Sequence, residues 1–229
     1  VTLSYAQSID GSIARTPGEP YAISSDESLM LTHALRAAHD AVLVGVGTIL
    51  ADNPRLNVRQ IEGPNPAAVI LDSHLRTPPS AKVFDCHDKV WIVAGQDAPA
   101  DAAAMLEERG ARLLYVDADD GGRVRLTAAL DALGDEQIRS IMIEGGAGVT
   151  SSCLRERLAD YAVITIAPLY LGGLQVLHAD PTPQPSPQMP RLKNSASHQL
   201  GRDVLLWGEF DWSDTGDVAA RAKATAFEP

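Results

Sequence analysis

Short apolar runs recur along this chain, and each is followed by a glycine or a carboxylate. They lie at residues 41–44, 67–71, 89–94 and 139–143, and segments of helical character separate several of them. A continuous apolar run suits a strand that is covered on both faces, as in parallel sheets. Strands that alternate with helices therefore predict an α/β fold, with a mostly parallel central sheet flanked by helices.

Other segments complete this prediction. We expect further strands at residues 2–7, 112–117, 161–167 and 203–210, and helices at about residues 25–38, 98–109 and 126–133, with one more ending near residue 158. Ser24 and Glu27 match a capping box for the first helix, whose apolar residues recur at helical spacing: Leu31, Ala34, Leu35 and Ala38. We predict a single domain over residues 1–229, with an extended proline-rich loop at residues 181–190 and a frayed tail at residues 213–229.

Composition excludes several classes of protein. The chain has 229 residues and a formal net charge of −11, which argues against a nucleic-acid surface. No apolar run approaches the ~20 residues of a membrane helix, and the N-terminus lacks the pattern of a secretion signal, so we expect no membrane contact and a cytoplasmic location. The two cysteines, Cys86 and Cys153, have no metal-ligand spacing, so we predict reduced thiols and no metal site.

Glycines follow two of the predicted strands. Gly45 and Gly47 should let the backbone turn beside a ligand, and a second cluster of glycines lies between a strand and a helix, at Gly145, Gly146 and Gly148. Successive backbone N–H groups there can converge on a phosphate, although a merely flexible loop is the alternative. Leu50 stands where the third glycine of a dinucleotide fingerprint belongs, so a standard Rossmann site is a weak interpretation. Instead, the two glycine segments would share one ligand across the carboxyl edge of the sheet.

The remaining polar residues favour one kind of chemistry. No GxSxG motif is present, and no serine has evident histidine and aspartate partners. A cleft would hold backbone donors, a few arginines and a few carboxylates, namely Asp10, Asp52 and Glu144, although spacing alone favours an ordinary turn for Asp10-Gly11 over a ligand role. This inventory suits hydride transfer, in which a cofactor carries the chemistry and the protein orients it.

Six segments of the chain resemble a known family. They come in the same order as in the pyrimidine reductase of riboflavin biosynthesis, the reductase domain of the bifunctional bacterial deaminase-reductase: SIDG (residues 8–11), LRAAHDAVLVGVGT (35–48), DNPRLNVR (52–59), ILDS (70–73), IEGGA (143–147) and IAPLYLGG (166–173). The resemblance implies a dihydrofolate-reductase-like fold, a homodimer, and NADPH as the cofactor. It also implies reduction of the ribosyl group of an aminopyrimidine 5′-phosphate to a ribityl chain.

The resemblance also assigns roles to individual residues. Asp52, between cofactor and substrate, is the candidate for a catalytic, proton-handling role. By motif or by position, the cofactor would be contacted by Ala6, Gly45, Gly47, Thr48, Asp52, Ser73, Arg76, Gly145, Gly146, Ala147, Gly148, Val149, Thr150, Ser151 and Ser152. Arg76 is assigned to the cofactor 2′-phosphate from position alone. The substrate would be contacted by Arg36 and Arg59, which hold its phosphate, and by Leu56 and Glu144.

Three residues depart from the family pattern. Pro20 and Ala22 replace a serine and a tryptophan, and Asn57 replaces a threonine. These changes leave two alternatives open: a reductase of the same fold that acts on a pterin or folate, and a catalytically silent paralogue that binds a nucleotide.

Overall fold

A computed structural model describes residues 1–16, 18–19, 21–119, 121–177 and 190–213 of the chain. Except for Pro190 and Ser213, the predicted proline-rich loop and frayed tail lie outside these residues.

Strands and helices alternate along most of this length. The helices are α1 (Asp26–Ala37), α2 (Val46–Asp52), α3 (Ala100–Glu108), α4 (Leu126–Asp135) and α5 (Ala147–Arg155). The strands are β1 (Thr2–Ser8), β2 (Ser12–Ala14), β3 (Ala41–Gly45), β4 (Ala67–Leu71), β5 (Val90–Gly95), β6 (Ala111–Val116), β7 (Ile141–Ile143), β8 (Tyr161–Ala167), β9 (Leu174–Gln175), β10 (Arg191–Leu200) and β11 (Asp203–Asp211).

Within the described residues, nine strands form one sheet in the order β10-β11-β8-β1-β7-β3-β4-β5-β6. The seven strands from β8 to β6 pair in parallel, whereas β11 pairs antiparallel with β8 and with β10. The short strands β2 and β9 pair separately. The predicted α/β class with a mostly parallel sheet is therefore confirmed.

The apolar runs are buried on both faces of this sheet, as predicted. In β3, Val42 and Val44 belong to one core cluster, while the alternating residues Ala41 and Leu43 belong to another, and all four are fully buried. Because successive side chains of a strand point to opposite faces, the two clusters are the two sides of the sheet.

The sequence did not predict β10, and the reason is its position at the edge. This strand pairs only with β11, and nearly all of its residues are exposed. A strand with no buried face carries no apolar periodicity from which it could be recognised.

Helix α1 differs from its prediction in its cap and in its buried face. Ser25, not Ser24, is the N-cap, and its side chain accepts a hydrogen bond from the backbone N–H of Ser28. The fully buried side chains lie off the predicted apolar stripe and are polar: Ser28, His33 and Arg36. Buried polar groups need hydrogen-bond partners, so other segments of the chain must supply partners to this face of α1.

Candidate active site

The carboxyl ends of β3 and β7 form the centre of the site. The two strands are parallel neighbours with Leu43 opposite Ile143, and the backbone N–H of Glu144 donates to the carbonyl of Leu43 at 3.0 Å. This pairing brings the two glycine segments together. A Cβ atom added at Gly45 would lie 2.9 Å from Cγ2 of Val149, which is closer than real side chains approach.

Gly45 serves a close approach and not the sharp turn that we predicted, whereas a Cβ atom added at Gly47 would meet no atom within 4 Å. Gly45 and Gly47 both have ordinary negative-φ backbones, and Gly47 lies inside α2. The second glycine cluster runs into the helix earlier than expected, because α5 begins at Ala147, directly after its N-cap Gly146. Since no side chain caps this helix, its first N–H groups are available to an anion and reinforce the helix dipole.

A cavity of about 840 Å³ opens beside this helix end. Seven predicted cofactor residues line it: Gly45, Gly47, Ser73, Arg76, Gly148, Val149 and Ser152. Ala147, Thr150 and Ser151 of α5 do not line it. Thr150 is fully buried, and its hydroxyl would lie 2.7 Å from a Cβ added at Gly145, so this threonine lies beneath the glycine segment and not on the cavity wall.

The wall of this cavity also includes basic residues that were not predicted from the sequence. His74, Arg123 and Arg125 line it together with the predicted Arg76. The backbone N–H of Val124 donates to the Ser73 hydroxyl at 2.9 Å and holds this loop in place. Two arginines immediately before the start of α4 were the available signal.

A second cavity, of about 290 Å³, adjoins the first. Six predicted residues line it: Ala6, Arg36, Thr48, Glu144, Gly145 and Gly146. Leu29 and Thr32 of α1 and Tyr5 of β1 line it as well and were not predicted; burial raises the pKa of Tyr5. The two cavities are lined by neighbouring residues of the segments 45–48 and 145–149, so they lie side by side at the ends of β3 and β7.

Arg36 and Glu144 form a two-point ion pair on the wall of the smaller cavity. Nε of Arg36 lies 2.5 Å from Oε1 and Nη2 lies 2.6 Å from Oε2, and the side chains are only 8% and 17% exposed. Nη1 donates to the carbonyl of Asn57 at 3.0 Å. Three of the five guanidinium N–H groups are thus used within the described residues, and two remain for a ligand.

Arg59 lies outside the walls of both cavities, on the segment that follows α2. Leu56 is buried and has a positive φ of 55°, which bends this segment back towards α1. Nη1 of Arg59 donates to Oδ1 of Asn57 at 3.2 Å. Desolvation and the nearby Arg36 and Arg55 lower the pKa of Arg59, so three cations gather where an anionic group would relieve their repulsion.

Asp52 is the last residue of α2 and does not line either cavity. The residue is exposed, but desolvation of its carboxyl group raises the pKa of Asp52. A raised pKa suits a carboxyl group that exchanges a proton.

Asp10, one of the candidate carboxylates, is fully engaged by the chain itself. It accepts hydrogen bonds from the hydroxyls of Ser8 and Ser12 and from the backbone N–H groups of Leu171 and Gly172. The Ser8 bond, then the Leu171 bond, hold the pKa of Asp10 well below its usual range. This carboxylate ties the turn after β1 to the turn after β8, which explains the SIDG and LYLGG segments as one structural unit.

Within the described part of the chain, no group of three or more histidine, cysteine, aspartate or glutamate side chains could hold a metal ion. Cys86 and Cys153 are free thiols. Among the described helices, none combines the length and apolar character needed to cross a membrane.

Comparison with known proteins agrees with this geometry. Residues 1–206 match the RibD C-terminal domain family. The 2,5-diamino-6-ribosylamino-4(3H)-pyrimidinone 5′-phosphate reductase of Methanothermobacter thermautotrophicus is 34% identical over 212 residues, which cover 90% of this chain and 95% of the relative.

Solved structures show the same relationship. RibD of Acinetobacter baumannii matches with a TM-score of 0.75 and 27% identity over 92% of this chain, which spans 57% of that protein. The riboflavin biosynthesis reductase of Saccharomyces cerevisiae matches with a TM-score of 0.73 and 28% identity, over 92% of this chain and 89% of the other.

A dihydrofolate reductase from Enterococcus faecalis shares the fold alone, with a TM-score of 0.50 and 13% identity over 92% of this chain and 96% of the other. The predicted dihydrofolate-reductase-like fold is therefore confirmed. On the match over residues 1–206 and the similarity to the archaeal reductase, this chain belongs to the RibD C-terminal domain family.

Proposed function

We propose that this chain is an oxidoreductase of riboflavin biosynthesis that reduces the ribosyl group of a ribosylaminopyrimidine 5′-phosphate to a ribityl chain, with NADPH as the hydride donor. The named reaction of the archaeal relative, which this chain covers almost entirely, supports the substrate. The observation that carries the proposal is the contact between a glycine-built cavity and a charged one at the ends of β3 and β7. We further propose that the protein is a cytoplasmic homodimer.

The larger cavity fits an extended dinucleotide. The uncapped start of α5 would hold its pyrophosphate, and Gly45 leaves the space that a side chain would fill. Ser73 and Arg76 line the same cavity, and Arg76 would bind the 2′-phosphate there. Ala6 and Thr48 line the adjoining cavity and would contact the nicotinamide. When bound, NADPH supplies the hydride, and the chain's task is to hold the reacting carbon against it.

The charged residues would orient the substrate. Arg59 and the two remaining N–H groups of Arg36 would bind the 5′-phosphate, with Leu56 packed beside them. Both Glu144 oxygens already accept from Arg36, but each keeps a lone pair that can accept from a substrate hydroxyl. Asp52 would hold or release a proton at its carboxyl oxygen as the sugar is reduced.

Turnover tests this proposal. Purified protein, NADPH and the ribosylaminopyrimidine phosphate should show loss of the nicotinamide absorbance, with the pyrimidine offered in both its deaminated and its undeaminated form. Oxidation of NADPH with dihydrofolate instead would identify the pterin-type alternative. Tight binding of NADPH by folded protein without oxidation by any of these substrates would favour the silent paralogue and refute the proposal.

An arginine variant tests the phosphate site separately. Arg59→Ala should weaken substrate binding by about 1.5–3 kcal/mol, which raises KM roughly ten- to a hundredfold, because a charge-assisted contact is lost. The Kd of NADPH should change by less than about twofold. Arg139→Ala, which removes an exposed arginine elsewhere on the surface, is the control. An unchanged KM in Arg59→Ala would remove Arg59 from the site.

A further inference from the structure

His33 is completely buried on α1, next to the charged cavity. Its Nδ1 atom lies 3.3 Å from the backbone nitrogen of Arg59. Because a backbone N–H can only donate, Nδ1 must be the acceptor, and the imidazole is then neutral with its proton on Nε2. Nε2 has no hydrogen-bond partner among the described residues. Within the described residues, the contact with Arg59 is the one hydrogen bond that the ring makes at hydrogen-bond distance, and the ring also interacts with the Asn57 backbone.

The segment that His33 holds is the one that carries Arg59. Two further bonds end on the same segment: Arg36 donates to the carbonyl of Asn57, and the Arg59 side chain donates to the Asn57 side chain. Arg36 and His33, one turn apart on α1, therefore fix the backbone on either side of Val58. With the backbone fixed, the direction in which Arg59 leaves the segment is also set.

Packing alone does not explain a histidine at this position. A leucine would fill similar space without burying a ring nitrogen that finds no partner, and an unsatisfied buried polar group costs free energy. The charges around the ring are Arg36 on its own helix, Arg59 on the facing segment and Glu144 at the end of β7. Burial, then Arg36 and Arg59, lower the pKa of His33, and Glu144 and the Asn57 backbone oppose them only in part. The accepting, neutral form is therefore the one that the site favours.

We propose that His33 is a positioning residue for substrate: its neutral Nδ1 atom accepts from the backbone N–H of Arg59 and thereby aims the Arg59 guanidinium at the substrate phosphate. The inference rests on the proposed phosphate-binding role of Arg59 and adds a residue that does not itself touch the ligand. It does not involve the cofactor, so its consequences appear in substrate binding and not in NADPH binding.

Two substitutions separate positioning from packing. Asparagine places its Oδ1 atom where histidine has Nδ1 and keeps the acceptor, whereas leucine fills the space and removes it. His33→Leu should weaken the binding of ribose 5-phosphate, measured by calorimetry, about tenfold, while His33→Asn stays within about threefold of wild type. The Kd of NADPH should change less than about twofold in both, and in turnover KM for the substrate should rise more than kcat falls.

A measurement that needs no substrate accompanies this binding test. Hydrogen exchange of residues 57–60 should be faster in His33→Leu than in wild type and close to wild type in His33→Asn, and thermal unfolding should confirm that both variants are folded. Equal exchange and equal ribose 5-phosphate affinity in all three proteins would overturn the inference, as would a loss in His33→Asn as large as that in His33→Leu. Wild type that binds ribose 5-phosphate but turns over no pyrimidine would refute the proposed function and leave the positioning role standing.

Discussion

The two adjoining cavities are built in opposite ways. The larger one is made where side chains are missing: Gly45 lets β3 approach Val149 of α5, and the start of α5 offers uncapped N–H groups. The smaller one is made by side chains that hold one another, such as Arg36 with Glu144. A cavity made by absent side chains is damaged by adding atoms, whereas one made by paired charges is damaged by removing them.

Because the two cavities are built differently, they also contribute differently to ligand binding. Backbone donors and a helix dipole suit the pyrophosphate of a dinucleotide, which is bound in the same way whatever is being reduced. Paired and positioned side chains select a particular substrate, because a charge without its partner is costly. The four predictions below test this division, from the largest expected effect to the smallest.

Glu144→Ala should have the largest effect. It leaves the Arg36 guanidinium, 8% exposed, without its anion, and breaking such a pair typically costs about 3 kcal/mol of the free energy of unfolding. Urea unfolding measures this cost. Glu108→Ala, on the exposed face at the end of α3, should change stability by less than about 0.5 kcal/mol. Equal losses in the two variants would mean that the pair contributes nothing specific.

Gly145→Ala should be damaging for the opposite reason. The added Cβ would lie 2.7 Å from the Thr150 hydroxyl and 3.2 Å from the Thr150 backbone nitrogen, and such overpacking costs about 2 kcal/mol. We expect weaker NADPH binding in a fluorescence titration. Gly134→Ala is the matched control, because no atom lies within 4 Å of its added Cβ and this glycine of α4 lines neither cavity. Adding Thr150→Ala to Gly145→Ala should restore part of the loss, and no recovery would contradict a steric cause.

Acidification should reveal how much the hydrogen bonds of the Asp10 carboxylate stabilise the folded protein. Because hydrogen bonds lower the pKa of this carboxyl group in the folded state, its stabilisation is complete above the unfolded pKa of about 3.9 and is lost as the pH falls below it. Asp10→Asn should therefore be less stable than wild type at pH 6, with a smaller further loss on acidification. Urea unfolding at a series of pH values measures both. Parallel stability curves for the two proteins would contradict this role.

Asn57→Ala should have the smallest effect. The bond from Arg59 to Oδ1 of Asn57 is exposed, so its loss should cost about 0.5 kcal/mol and raise KM for the pyrimidine roughly twofold. Asn57→Thr, which restores the residue typical of the family, should differ little from wild type. Steady-state kinetics with the pyrimidine and with dihydrofolate measures both variants. If neither variant gains activity on dihydrofolate, and if Asn57→Thr uses the pyrimidine as wild type does, then Asn57 supports Arg59 and does not select another substrate.

Much of the fold could be predicted from local patterns. The strands predicted at residues 67–71 and 161–167 coincide with β4 and β8, because apolar runs of this length report burial directly. The two glycine segments were correctly expected at one edge of the sheet, although the reason was a turn and the structure shows close packing. The edge strand β10 and the early start of α5 were missed, since neither depends on an apolar period.

The predicted site residues also differ in how well local sequence patterns could place them. Residues carried by the glycine motifs line one or other of the two cavities, whereas the assignment of Thr150 to the cofactor surface did not anticipate its burial beneath Gly145. The roles of Asp52 and Arg59 stay predictions. Helix α1 was expected to show an apolar stripe, but its buried face is polar, and no periodicity in one helix can identify partners that come from other segments.

The sequence by itself determined the parallel sheet and the place of the glycines, because each depends on a few adjacent residues and on the conformations open to them. Only the tertiary structure decided which charges pair. Arg36 and Glu144 are separated by 108 residues in the chain, and the Asp203 carboxylate that accepts from Ser28 is 175 residues away. Such pairs are set when the sheet brings distant segments to one edge, where each buried polar group must find a partner.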